Sequence, residues 1–491
     1  MATSKQRQPA SKTATRSNVV KTDQVVTPSR GETVSFEVLC RPKSGAELSQ
    51  MIQELTLDQI DRSQPDDRTL QEVAMSLQQA GFRVFTSDST TSVSAEGPYG
   101  LFEKVFDTKL RKRERTLKAA SQESTFEFFD TMDDGPEPVP SNIPGAIYAA
   151  IQRPPVFFAP SALPPPVSYF HLRVPGDVAG LTKAALAHRR SLSSGDRATG
   201  NGVRIAMLDT GFFVHPYYTM HGYRLNPVAA LDAVPPAGTD PNGHGTGEVA
   251  NIFATAPDAQ VFGVKMGNNP VLSFDRAMGL GVKVISNSWG YDLTGISTLP
   301  AALVPLRLRI LSAVAAGVTV VFAGGNGQVA FPGMMPEVIS IGGVFADQNG
   351  DLKASNYASS FMSLIYPGRR VPDLCGLVGM QPGAHYILLP VPSGSTIDSS
   401  LGTPANDKTG PADGWGVFSG TSAAAPQLAG VCALMLQKRP TLTPAQVKSI
   451  LRATATDVTV GVSFMGEAAG PGLDNATGTG LVNALLAWQS S

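Results

Sequence analysis

The chain has 491 residues, 42% apolar and 16% charged, with a formal net charge of -1. That size allows two or three domains around large cores, and the balanced charge implies no global polyelectrolyte partner. The three cysteines, Cys40, Cys375 and Cys432, are too few and too scattered for a disulfide framework or a zinc site, and read as buried thiols.

Residues 1–32 carry Lys5, Arg7, Lys12, Arg16, Lys21 and Arg30 among Ser, Thr and Gln. With no apolar core, this stretch reads as a disordered basic tail rather than a secretory signal. No segment has the apolar run of a membrane span. A cytoplasmic location is the simplest expectation, with leaderless export still open.

A small domain is expected over 33–150. Val34–Cys40 alternates as a strand. Asp67 is placed to cap a helix whose face holds Leu70, Val73, Ala74 and Leu77, ended by Gly81. Phe82–Phe85 and Thr91–Ala95 read as paired strands. Leu101, Phe102, Val105 and Phe106 mark a second helix, and Lys109–Lys112 a final strand. The order β-α-β-β-α-β predicts a ferredoxin-like α+β unit. The basic run Lys109–Arg115 reads as a solvated strand edge, since no aromatic residues interleave it for nucleic-acid binding.

Residues 151–200 are rich in proline up to Pro166 and predict an extended linker. A helical stretch over 181–188 and the polar segment Arg189–Asp196 follow; the latter is a candidate site of cleavage. From 201 to 491 apolar runs alternate with helical patterns. Strands are predicted over 203–208, 261–266, 282–285, 318–323 and 338–341. Helices are predicted over 245–254, 303–316 and 421–437. This is an α/β pattern, a mainly parallel sheet with helices on both faces and a site at the strand C-terminal ends.

Four segments of this half carry chemistry. Asp209 ends a buried strand, where a carboxylate needs a partner such as an imidazole N–H. His244 stands between Gly243 and Gly245 at a helix start, a position that favours a neutral ring. Ser422 follows Gly420 and Thr421 at another helix start, where backbone N–H groups can stabilise an oxyanion. Asn326 follows Ala323, Gly324 and Gly325 directly after a strand, so its amide can donate into a site. Taken singly, the Asp and Ser fit N-caps and the His a surface loop.

Together, Asp209-Thr210-Gly211, Gly243-His244-Gly245-Thr246 and Gly420-Thr421-Ser422-Ala423-Ala424-Ala425-Pro426 resemble the subtilisin family of serine peptidases from about Val203 to Ala487. The resemblance implies Asp209 as orienting acid, His244 as base, Ser422 as nucleophile and Asn326 as oxyanion donor. It implies that Ser288, Trp289 and Gly290 pair with substrate as an added strand and that Ala323, Gly324 and Gly325 line a specificity pocket. Thr443–Val447 and Gly478–Asn483 resemble later family motifs. Gly247 and Gln427 stand where many members carry histidine. Pro390–Gly414 reads as an inserted surface loop. The N-terminal domain, with Val105-Phe106-Asp107-Thr108, resembles prodomains of subtilases and the related sedolisins. The implied product is a serine endopeptidase acting on polypeptides and made as a self-inhibited precursor, its own prodomain the intramolecular inhibitor. No cofactor is implied, and no dense Asp/Asn loop supports structural calcium. Two rivals remain: a catalytically silent peptide-binding or scaffolding protein, and an acid-active hybrid using Glu248, one turn beyond His244.

Overall fold

The computed structural model describes residues 20–29, 31–45, 55–85, 91–119, 122–131, 138–140, 142–157, 171–174, 176–193, 197–381, 386–401 and 410–491. Among them, seven parallel strands lie in the order Arg224–Ala229, Gln260–Lys265, Arg204–Asp209, Val284–Asn287, Thr319–Ala323, Ile339–Ala346 and Leu374–Leu377. Leu352–Ala354 adds an antiparallel edge.

Side chains of the central strands feed two cores. Ile205 and Met207 pack with the helices His244–Thr255 and Thr421–Lys438. Ala206 and Leu208 pack on the other side with Pro270–Met278 and Val304–Ala315. A sheet buried on both faces demands such unbroken apolar strands. The strands carrying Asp209, Asn287 and Ala323 at their C-terminal ends are neighbours, which lines up the loops that follow them. Sequence reading missed Arg224–Ala229, because Pro227 argues against a strand; it lies at the sheet edge, where proline is tolerated.

The N-terminal sheet has the order Arg83–Phe85, Ser92–Pro98, Thr33–Cys40 and Ala146–Ile151, all antiparallel. The helices Asp67–Ala80 and Tyr99–Val105 cover one face through Val73, Leu77, Phe102 and Phe106. Three expectations need correction here. Asp66, not Asp67, caps the first helix, accepting from Thr69 N at 2.7 Å. Lys109–Lys112 does not close this sheet. Leu110–Ala119 instead lies between Val20–Val26 and Gln122–Thr131 in a separate sheet. The apolar Ala146–Ile151 takes the inner position, while the charged strand finds charged partners such as Glu127, 2.7 Å from Lys112. Val20–Val26 is therefore strand rather than tail; its β-branched residues suit pairing with that long edge. Residues 1–19 lie outside the described residues.

The linker expectation also fails for 171–193. His171–Arg173 pairs with Tyr386–Pro390, and Leu172, Val178, Ala184 and Ala187 are buried in the core beside His244–Thr255. The segment Arg189–Ser193 is anchored, since Ala198 N donates to Ser191 Oγ at 2.7 Å. Residues 158–170 and 194–196 lie outside the described residues. All three cysteines are buried and unpaired.

Thr33–Cys40 turns its second face toward the larger half. Leu39 joins the core of Val304–Ala315. Glu37 accepts from the hydroxyls of Ser92 and Ser94 and, across the boundary, from Asn269 Nδ2 at 2.6 Å. Asn269 in turn caps Pro270–Met278 through Val271 N. Burial pushes the Glu37 carboxyl up to about 7, against the pull of those three donors. A raised carboxyl stabilises the folded state below its unfolded pKa and loses that contribution as pH climbs through the folded value. The uncut chain is therefore expected to lose roughly 3 kcal/mol between about pH 4.5 and pH 7 through this group. Melting curves of Glu37→Gln should lack that slope; an identical pH dependence would refute the assignment.

Candidate active site

Asp209 reaches the sheet rim as the last residue of its strand and is fully buried. Its Oδ1 accepts from Thr210 N at 2.8 Å and pairs with His244 Nδ1 at 2.7 Å. The two arms meet because Gly245 has no side chain: a Cβ there would stand 2.3 Å from Gly211 O. Asp240, which sequence reading did not single out, ties the arms together. It accepts from Thr210 Oγ1 at 2.9 Å, Gly243 N at 3.0 Å and Thr246 N at 2.9 Å. Its signal was its place four residues before a Gly-flanked histidine.

The helix start expected to favour a neutral ring is opposed by the carboxyl groups around it. Burial does push the imidazole down, but the charge and hydrogen bond of Asp209, with Glu248 and Asp240 behind them, raise it to about 9. Three carboxyl groups outweigh the partial charge of a helix end.

Ser422 is the second residue of Thr421–Lys438 and is buried. Its hydroxyl donates to Ser288 O at 3.3 Å, and Ser288 Oγ donates to Ser422 O at 2.9 Å. Asp209 and His244 are thus in contact, whereas the Ser422 hydroxyl bonds to Ser288. His244 Nε2 has no hydrogen-bond partner among the described residues. The ring of Phe418, which leads into the Ser422 loop, lies 6.2 Å from that of His244.

Asn326 borders the same loop. Its Oδ1 accepts from Thr421 N at 2.8 Å and Thr421 Oγ1 at 3.0 Å. That fixes the amide with Nδ2 toward Gly420, where a Cβ would stand only 2.7 Å away. Gly325 N also donates to Thr421 Oγ1, at 3.2 Å. Gly324 N is used by Ile341 O at 2.8 Å, and Ala323 is buried. Trp289 is a core side chain, edge-on to Phe322.

Gly290 already has a strand partner. Val156 N donates to Gly290 O at 3.1 Å, and Gly290 N to Val156 O at 3.0 Å, an antiparallel bridge. Tyr291 OH donates to Arg153 O at 2.9 Å. The Phe157 ring stands edge-on to His244 at 5.7 Å. The chain's own segment thus lies across the site. Its signal was an apolar pair inside a proline-rich stretch.

The Pro390–Gly414 insertion is more ordered than a plain surface loop. It holds the helix Thr396–Leu401, and Thr396 N and Ile397 N donate to Pro241 O and Asn242 O at 2.9 and 3.0 Å, bracing the His244 arm. Residues 402–409 lie outside the described residues. Among the described residues, no group of three or more His, Cys, Asp or Glu is placed to hold a metal, and no helix is long and apolar enough to cross a membrane.

The family model described as the subtilase family matches residues 200–480, more than half of the chain. The chain belongs to the subtilase family. It is a subtilisin-like serine endopeptidase. M-protease of Shouchella clausii (strain KSM-K16) is 28% identical to this subtilase over 315 residues, 62% of this chain and 67% of the relative. Subtilisin Savinase of Lederbergia lenta is 27% identical over 315 residues, 62% of this chain and 94% of the relative. Fervidolysin from Fervidobacterium pennivorans, a keratinolytic enzyme related to subtilisin, shares the fold. Its crystal structure aligns with a TM-score of 0.59 at 19% identity over 94% of this subtilase. The alignment spans 62% of the fervidolysin chain, less than two thirds.

Proposed function

We propose that this subtilase cleaves peptide bonds through Asp209, His244 and Ser422 by way of an acyl-enzyme, and that it is made as a precursor inhibited by its own N-terminal part. The observation that carries the reading is the buried Asp209–His244 hydrogen bond at 2.7 Å. It fixes the ring so that Nε2 is the nitrogen left to exchange protons. Catalysis begins when the Ser422 hydroxyl turns from Ser288 O toward Nε2. Ser422 Oγ attacks the peptide carbonyl as His244 takes its proton. Asn326 Nδ2 and the Ser422 N–H donate to the oxyanion. His244 then protonates the leaving amine, and water attacks the acyl-enzyme with the same base. No step calls on a cofactor.

Self-inhibition is supported by Val156 and Phe157, which take the places of a substrate strand on Gly290 and beside His244. A fluorophosphonate probe should label the cut enzyme at Ser422. Loss of labelling in Ser422→Ala is expected, and equal labelling would sink the reading. Asn326→Ala should lower kcat about 10²–10³-fold with little change in KM. Steady-state kinetics on a peptide substrate checks it.

A further inference from the structure

Glu248 follows His244 by one turn of the helix His244–Thr255, so their side chains share a face. Glu248 is 1% exposed. Its Oε1 lies 3.9 Å from His244 Nε2, the nitrogen that Asp209 does not engage. Its Oε2 accepts from Asn251 Nδ2 at 3.0 Å. The Phe418 ring packs down onto Gly247, where a Cβ would stand 2.6 Å from it, and covers this side of the helix. Among the described residues, His244 is the basic group within ion-pair distance of Glu248.

We infer that Glu248 is a second carboxylate for His244, set against the nitrogen that carries the transferred proton, and that it fixes the pH range in which His244 serves as base. This rests on the triad reading. The imidazole stands between two acids, Asp209 at Nδ1 and Glu248 near Nε2. Ionised Glu248 stabilises the imidazolium and so competes with Ser422 for a free base. The resting ring then stays protonated to higher pH than Asp209 alone would hold it.

The remaining groups around the pair do not reverse this. Asp240 adds negative charge from the preceding loop. Tyr218, on Pro216–Met220, gives its hydroxyl to Thr246 O. Asp177, on Gly176–Leu181, accepts from Arg173 N. His188, on Ala184–Arg190, meets Thr255 O at the far end of the helix. Tyr386 stands on the adjoining strand Tyr386–Pro390. Thr421–Lys438 presents the O of Gln427 to Thr255, and its Cys432 and Lys438 come ten and sixteen positions after Ser422. Burial pushes the Glu248 carboxyl up to about 8, with His244 pulling the other way.

The test is the pH profile of kcat/KM for the full chain after self-processing, wild type beside Glu248→Gln. Glutamine keeps the size and can still accept from Asn251, so a purely structural role would leave the profile in place. The acid limb should move down by about 1–3 pH units, at least a tenfold gain in rate at a pH on the wild-type limb. An unmoved limb overturns the proposal. Should Glu248→Gln fail to fold, Glu248→Asp keeps the charge but withdraws it by one methylene. Its limb should then fall below that of the wild type, and a coincident limb overturns the proposal equally. Ser422→Ala runs alongside. Retained activity there sinks the triad, whereas lost activity with an unmoved Glu248→Gln limb sinks the role of Glu248 alone.

Discussion

Ser422→Ala is expected to leave the full-length chain uncut and to lower peptide hydrolysis about 10⁶-fold, the scale known for the nucleophile of subtilisin itself. The cut in the wild type should fall just beyond Val156 and Phe157, the residues laid across the site. Strand register sets that position. Val156 faces Gly290 in an antiparallel pair. Ser288, two residues before Gly290, is the residue whose carbonyl holds the Ser422 hydroxyl. In an antiparallel pair two residues back from Gly290 correspond to two residues on from Val156, so the scissile peptide is expected about two residues beyond Val156. Mass spectrometry of freshly expressed protein should find an N-terminal product ending within two residues of Phe157. Equal cutting of Ser422→Ala, or a wild-type cut only within Arg189–Asp196, would defeat the prediction. The second outcome is disfavoured because Ser191 is fastened to Ala198 and Ala187 is buried.

Asp209→Asn should lower kcat about 10⁴-fold while KM stays near the wild-type value. The loss comes from the tautomer. The Asp209 carboxylate accepts at Oδ1 from His244 Nδ1–H, which leaves Nε2 free to take a proton. An asparagine amide donates to Nδ1 instead and places the proton on Nε2, where it blocks the transfer from Ser422. The side chain is the same size, so the fold should persist even though Thr210 N loses the acceptor it shares with His244 at Oδ1. Circular dichroism checks the fold, and steady-state kinetics separates kcat from KM. A fall in KM-linked binding alone would assign Asp209 to structure. The same variant should process itself slowly, because one set of groups serves both reactions.

The candidate site residues were legible because each sits where backbone and side chain together advertise a task. Asp209 ends an apolar strand, and His244 and Ser422 stand at Gly-flanked helix starts. Asn326 follows Gly324 and Gly325. Periodicity also placed the helices His244–Thr255, Val304–Ala315 and Thr421–Lys438 and most central strands to within a residue or two, while Ile339–Ala346 runs five residues past its expected end. What the sequence concealed depends on contacts between distant segments. Nothing local to Leu110–Ala119 states that it will pair with Val20–Val26 while Ala146–Ile151 takes the place beside Thr33–Cys40. Asp240 looks like any turn aspartate until Thr210, Gly243 and Thr246 converge on it. The surroundings of His244 were legible only in part, because a helix end is visible in sequence, whereas Glu248 closing on Nε2 depends on how both side chains fold back. The hydroxyl of Ser422, bonded to Ser288 O, likewise reflects a neighbouring strand end and no motif.

Phe157 and Val156 share a covalent chain with the sheet that grips the larger half through Leu39 and Glu37. Their occupation of the cleft is therefore unimolecular. A short tether sustains an effective concentration in the millimolar range, so ordinary substrate levels are expected to compete poorly while the chain is whole, however weak the individual contacts. Severing it changes the rules without altering a single contact: retention then depends on affinity and on dilution. A freshly cut population held at high protein concentration should remain quiet, and simply diluting it should awaken it.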